Sequence, residues 1–266
     1  MFLSVFEVFK IGIGPSSSHT MGPMTAAGRF LQLLSECSEI KGPASLRVTL
    51  YGSLAFTGKG HATDRAVALG LLGYTPADLD PDEADRRVVE LSETKTLHFA
   101  GLPLLAFDPG KDIVFDYGPA LPGHANGLIF EVFDANDLLC LAETYYSVGG
   151  GFIVKAAKRD ASVGTLLDEA KDWPYPFDTA ASMLRMAKES GLSIAAMKRA
   201  NELVGGKPGA LEAGLARIWM TMNDCIDRGL TRDGELPGGL RVKRRAKKIL
   251  EQLQRETGSN QTQPHA

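Results

Sequence analysis

Cysteine is scarce in this chain: Cys37, Cys140 and Cys225 are its 3 cysteines in 266 residues, and none belongs to a C-x-x-C pair. That spacing gives neither a disulfide framework nor a zinc or iron–sulfur signature, and it leaves all three as small apolar core candidates. No apolar run approaches the roughly 20 residues needed to span a bilayer. The start, Met1-Phe2-Leu3-Ser4-Val5-Phe6, lacks a basic n-region, and Glu7 interrupts it. The expected location is therefore the cytoplasm, without a membrane partner. Basic charge is also in deficit, with 29 Lys and Arg against 32 Asp and Glu and a net charge of -3. Nucleic-acid-binding domains carry the opposite balance, so no nucleic acid is expected. Gly58-Lys59-Gly60-His61 lacks the preceding glycine of a P-loop, and no G-x-S-x-G elbow supports Ser147 as an acyl-transfer nucleophile.

What is present is an ordinary globular composition, 44% hydrophobic and 23% charged, at a length that favours two domains. Pro23 suits the first turn of a helix that continues through Ala27, Phe30, Leu31 and Leu34. Leu46, Val48 and Leu50 alternate with polar neighbours as a half-buried strand ending at Gly52. A second helix is expected from about His61 to Leu72, closed by Gly73, and a charged helix from Pro81 to Glu93. A broken β region spans about 102–115. Leu128 to Phe133 and Leu138 to Tyr145 flank Asp134-Ala135-Asn136-Asp137, a hairpin signal, and Phe152 to Val154 continues after a glycine triplet. This mixture gives an α+β domain over 1–156. A charged and Pro-rich linker occupies 157–177. Helical segments fill 178–256, with caps expected at Asp178 and Ser193, an opening at Pro208, a stop at Gly229 and a basic helix from Lys243 to Gln254. The tail 257–266 reads as disordered. Too few helices are present to cover their own apolar stripes, so this segment reads as an incomplete all-helical domain.

The stretch most suggestive of function is Ile13-Gly14-Pro15-Ser16-Ser17-Ser18-His19-Thr20-Met21-Gly22-Pro23. Its hydroxyls and imidazole, placed just before a helix, suit a loop converging on a carboxylate or phosphate; a Ser-rich helix cap is the plain alternative. His61 follows a Gly-Lys-Gly turn, and His124 sits in Gly123-His124-Ala125-Asn126-Gly127. Three of the 5 histidines thus fall in constrained loops, where imidazole can shuttle protons or pair with a carboxylate. Ser147 enters Gly149-Gly150-Gly151, which reads as either a bulge or a place for close backbone approach to a ligand. The cluster from Arg241 to Lys248 reads as a solvated helix face or an acidic-partner patch.

Taken together, Phe9-Lys10-Ile11-Gly12-Ile13-Gly14-Pro15-Ser16-Ser17-Ser18-His19-Thr20, Tyr51-Gly52-Ser53-Leu54, Thr57-Gly58-Lys59-Gly60-His61, Tyr145-Tyr146-Ser147-Val148-Gly149-Gly150-Gly151-Phe152-Ile153-Val154, Pro174-Tyr175-Pro176-Phe177 and Cys225-Ile226-Asp227-Arg228-Gly229 resemble the iron–sulfur-dependent L-serine dehydratases of bacteria. The resemblance implies a β domain of the kind found as the allosteric substrate-binding domain of some phosphoglycerate dehydrogenases, followed by an all-helical α domain. It implies conversion of L-serine to pyruvate and ammonia, assisted by a 4Fe–4S cluster whose open iron acts as a Lewis acid. By position it implies that Ser16, Ser18, His19, Thr20, Thr63, His124, Asn126 and Ser147 bind substrate, that His61 handles the proton, and that Lys59 adds positive charge. The family's cluster cysteines fall beyond the matching stretch, and Cys225 is not one of them. The expectation is therefore a substrate-binding portion, inactive alone and holding no metal itself. Its expected partners are L-serine and either a second copy or a complementary α-domain chain. A non-catalytic amino-acid-binding or regulatory module is the alternative.

Overall fold

The computed structural model describes residues 4–37, 40, 42, 44–98, 104–156, 173–204, 209–236 and 239–257. The architecture is α+β, in two compact units. The sheet unit comprises Ile11–Asp160 with Pro237–Arg241; the helical unit comprises Met1–Lys10, Ala161–Leu236 and Val242–Ala266. A single boundary at 156 does not capture this division, because the chain's start belongs with its helices. That start contains α1 (Val5–Val8), opened by a Ser4–Glu7 capping box.

In the sheet unit, Ser17–Met21 forms a π-helical turn that runs directly into α2 (Gly22–Ser35). The stretch read as a loop is thus the first turn of a helix, capped by the Ser16 side chain and followed by Pro23. Next come β1 (Ala44–Tyr51), α3 (Ser53–Phe56), α4 (Thr63–Leu71), α5 (Pro81–Thr94), β2 (Thr96–Leu97), β3 (Leu105–Ala106), α6 (Pro109–Asp112), β4 (Ile113–Asp116), β5 (Gly127–Asp134), β6 (Leu139–Gly149) and β7 (Phe152–Lys155). The strands form one seven-stranded sheet. β1 pairs parallel with β3 and β4 on one side and antiparallel with β5 on the other; β6 and β7 follow β5 antiparallel.

The period-two pattern of β1 buries Leu46, Val48 and Leu50 beneath α2 and α4. Phe30 of α2 stacks on Phe130 of β5 at 4.9 Å, and Phe130 meets Tyr145 of β6 edge-on at 5.9 Å. Each such buried side chain contributes about 1.5–3 kcal/mol of transfer free energy. Gly70 lets α4 approach α2, since a Cβ there would stand 2.5 Å from the Met24 carbonyl oxygen. α4 starts at Thr63, later than the expected His61, because Ala62 adopts a left-handed conformation (φ 54°) that ends the preceding turn.

The helical unit contains α1, α7 (Ala180–Ser190), α8 (Ile194–Glu202), α9 (Ala210–Thr231) and α10 (Ala246–Thr257). Thr179, not Asp178, caps α7, and Ser193 caps α8 as expected. α9 passes through Gly229 to Thr231 because that glycine keeps helical φ; α10 begins only at Ala246 because Lys243 bridges antiparallel to Glu235. Buried Asn201 holds the Pro-rich segment against α8, accepting from the Tyr175 N–H at 2.9 Å and donating to the Tyr175 carbonyl at 2.8 Å. Trp219, Met220, Met222 and Ile226 of α9 stay exposed. Pro208, most of the expected linker, and the tail after Thr257 lie outside the described residues.

Candidate active site

Four short segments of the sheet unit meet at the N-terminal end of α2. The first is Ser16 to Thr20 itself. Ser16 accepts from the His19 N–H at 3.3 Å, and its own N–H donates to Thr20 Oγ1 at 3.3 Å. The N–H groups of Ser17 and Ser18 have no acceptor among the described residues. Two free donors at the positive end of a helical run from Ser17 to Ser35, flanked by the Ser16 and Ser18 hydroxyls, form an anion-binding arrangement.

The second segment is Gly52–Ser53, at the end of β1. Gly52 takes φ 55°, which turns the chain sharply; a Cβ there would overlap the Ala125 carbonyl oxygen. Ser53 then donates its N–H to Ala125 O at 2.8 Å and places its Oγ 3.0 Å from His19 Nε2. The third is Thr57 to Thr63. Its His61 ring lies 4.8 Å, centroid to centroid, from the His19 ring of the first segment. The fourth joins His124–Asn126 to Ser147: Ser147 donates its N–H to Asn126 O at 2.9 Å, and Asn126 Nδ2 donates to Ser147 O at 3.1 Å.

Buried hydroxyls lock these segments together. Thr63 Oγ1 donates to His19 O at 2.6 Å, Thr20 Oγ1 to His61 O at 3.1 Å, and Ser147 Oγ to Ser18 O at 2.7 Å. All three side chains are almost fully buried. Gly22 makes the last contact feasible, for a methyl there would overlap Ser147 Oγ and stand 2.8 Å from its Cβ.

The ring partners set the protonation of the imidazoles. His61 Nδ1 lies 2.9 Å from Thr57 O; a carbonyl only accepts, so Nδ1 carries the hydrogen and the neutral ring has its lone pair on Nε2. His124 Nδ1 accepts the Asn126 N–H at 3.1 Å, which puts the hydrogen of its neutral ring on Nε2. His19 is held by hydroxyls at both nitrogens, Ser18 Oγ at 2.9 Å and Ser53 Oγ at 3.0 Å. Burial, reinforced by His61, pushes His19 below its ordinary value of 6.5, against the opposing influence of the Ser53 main chain. Lys59 faces elsewhere: its Nζ lies 3.7 Å from Asp64 and 4.7 Å from the centre of the Phe115 ring.

The structure thus brings Ser16, Ser18, His19, Thr20, His61, Thr63, His124, Asn126 and Ser147 into one connected network. Sequence reasoning did not assign Ser53 to the site. Its signal is Gly52, a glycine at a strand end directly before it. A 4Fe–4S cluster does not fit the residues present: no three His, Cys, Asp or Glu among the described residues group as metal ligands. Cys37 and Cys140 pack against the apolar core, and Cys225 is exposed on α9.

Comparison with known proteins shows the family. Residues 4–158 match the family model described as serine dehydratase beta chain. The chain is 44% identical over 256 residues to the L-serine dehydratase of Streptomyces coelicolor, covering 96% of this chain and 56% of that protein. It is 41% identical over 252 residues to the L-serine dehydratase TdcG of Escherichia coli, covering 94% and 54%. With that of Haemophilus influenzae it shares 37% over 256 residues, 96% and 55%. The chain therefore spans little more than half the length of these relatives. With the family model covering the greater part of the chain, and with the network formed inside the matched span, the chain belongs to the serine dehydratase beta chain family.

Proposed function

We propose that the chain is the substrate-gripping part of a cytoplasmic L-serine dehydratase, which converts L-serine to pyruvate and ammonia. The carrying observation is the pair of Ser17 and Ser18 N–H groups, unpaired among the described residues, in the turn whose His19 ring lies 4.8 Å from that of His61, with the His61 lone pair on Nε2. The carboxylate of L-serine accepts from those N–H groups and from the Ser16 and Ser18 hydroxyls, in the field of the helix terminus. His61 Nε2 accepts the α proton. Loss of that proton and of the β hydroxyl gives aminoacrylate and water; tautomerisation to the imine and hydrolysis then release pyruvate and ammonia. His124, with a hydrogen on Nε2, donates to a substrate oxygen in this reading. Thr20, Thr63, Asn126 and Ser147 bind through the frame: their polar groups are taken up by the main chain and hold the contacting residues in register. Lys59 acts as part of the loop's own ion pair.

The iron–sulfur group implied by the resemblance has no ligand set among the described residues, so this reading gives the chain binding and proton handling alone. The exposed apolar face of α9 is the surface on which a complementary helical polypeptide would pack. The placement of the three cysteines also favours a second reading, a non-catalytic amino-acid-binding module. A mixing experiment separates the two. The chain is combined anaerobically, with iron and sulfide, with the part of the Streptomyces coelicolor relative beyond the matched region, and pyruvate is assayed from L-serine. The catalytic reading expects turnover only in the mixture, abolished by His61→Asn. An inactive mixture that still binds L-serine favours the module, and turnover by the chain alone contradicts the division of labour.

A further inference from the structure

Three histidines share this site, and their partners treat them differently. His61 faces an acceptor-only carbonyl and His124 a donor-only amide, so each neutral ring has one tautomer. His19 alone has a hydroxyl at both ring nitrogens, and a hydroxyl both donates and accepts. Its two neutral tautomers therefore keep the same hydrogen bonds, with only the hydroxyl hydrogens reoriented. The ring cannot swing away to choose between them. Its main chain is pinned by Thr63 at 2.6 Å and by Ser16 at 3.3 Å, and Ser53 is pinned through its N–H to Ala125.

We propose that Ser53, His19 and Ser18 form a proton relay, with Ser53 as a member that the substrate-binding reading does not include. The proposal rests on that reading for its place in the reaction. The passage balances as follows. A proton released by the bound substrate or by solvent water arrives on Ser53 Oγ, whose own hydrogen moves to His19 Nε2. The Nδ1 hydrogen of His19 moves to Ser18 Oγ, and the hydrogen already on Ser18 leaves to a bound oxygen, either directly or by way of Ser16 Oγ, 3.4 Å away, which passes on its own hydrogen as it takes that of Ser18. One proton has crossed, every member is again neutral, and His19 has changed tautomer; a passage in the opposite sense resets it. Dehydration calls for such a path, because carbon gives up one proton while the departing hydroxide takes one up. Keeping His19 neutral, as its burial does, keeps both tautomers available.

The test is histidine-ring nitrogen NMR on the full chain labelled with nitrogen-15. His61 is expected as the pure Nδ1–H form and His124 as the pure Nε2–H form, with His19 shifts averaged between the two. Ser53→Ala removes the Nε2 partner and should move His19 toward Nδ1–H, since an unpaired lone pair is better tolerated than an unpaired N–H. Ser18→Ala should move it the opposite way, and Ser53→Thr, which keeps a hydroxyl, should restore the average. A purely structural role for Ser53 predicts no such opposed shifts. A wild-type His19 locked in one tautomer, or one indifferent to Ser53→Ala, overturns the relay. L-serine titration of the same samples separates the two claims: absent binding with averaged His19 shifts removes the substrate reading and leaves the relay supported, whereas intact binding with a locked ring removes the relay alone.

Discussion

Replacing Gly22 with alanine pushes a methyl group into Ser147, at the junction of α2 and β6. The added carbon overlaps Ser147 Oγ and lies 2.8 Å from its Cβ. Ser147 is fully buried and cannot turn aside without losing its 2.7 Å bond to Ser18 O, while two bonds to Asn126 hold its main chain. Overpacking of this kind costs about 1–3 kcal/mol, and a broken hydrogen bond adds about 1 kcal/mol. The helix preference of alanine over glycine, up to about 1 kcal/mol, offsets part of this. A net loss of about 2 kcal/mol follows, which corresponds to a fall of roughly 30-fold in hydrogen-exchange protection. The assay is exchange mass spectrometry on peptides covering 139–149. Tryptophan fluorescence would report the wrong unit, because Trp173 and Trp219 both belong to the helical one. Ser147→Gly in the same chain removes the clash, so the double variant should be more stable than the sum of the single effects by about 1 kcal/mol or more. Unchanged protection in Gly22→Ala, or strict additivity, would refute the argument for close approach.

Thr63→Val keeps shape but leaves His19 O without its buried donor, and should cost about 1–3 kcal/mol in a urea titration of the sheet unit. His19 has its folded value lowered, so the unfolded chain binds the extra proton first. Its contribution to stability is whole above 6.5 and is lost as pH falls through the lower folded value; exchange protection of β6 should decline over that window, and His19→Gln should flatten the decline. Glu202 accepts from Ser4 Oγ at 2.8 Å and from the Val5 N–H at 2.5 Å, so Glu202→Ala should free α1 and expose residues 4–10 to limited proteolysis, with a loss of about 1.5–3 kcal/mol in that local contact.

The core and the site differ in how openly the sequence declares them. β1 and the β5–β6 hairpin follow from alternation and turn chemistry, since period-two burial leaves a direct trace in residue order. The site loops were legible because hydroxyl and imidazole residues gather in them between glycines and prolines, although the same residues also serve as helix cap and frame. What periodicity could not show was tertiary: that the Ser-rich stretch continues α2 as a π turn, that Thr20, Thr63 and Ser147 turn inward to carbonyls, and that Ser53 reaches His19. Each depends on an element distant in sequence. The later start of α10 has the same origin, because the pairing of Lys243 with Glu235 is invisible to a helix pattern. The start of the chain joins the helical unit through long-range contacts, among them the bond from Ser4 to Glu202, 198 residues away, and the packing of Phe6 against Gly214.

Calorimetric titration of L-serine into the chain and its Ser17→Pro variant bears most directly on how the site works. Proline removes one N–H donor and nothing else the fold uses: Ser17 is the first residue of its helical turn, its N–H is unpaired among the described residues, and Ser16 already has the extended conformation (φ -139°, ψ 138°) that a following proline requires. A hydrogen bond to a charged group is worth about 1.5–3 kcal/mol, so one site per chain should bind L-serine about 10- to 100-fold more weakly in the variant while exchange protection of α2 stays unchanged. Equal affinity in both proteins, or no saturable binding in either, would contradict the claim that the start of α2 grips the substrate carboxylate.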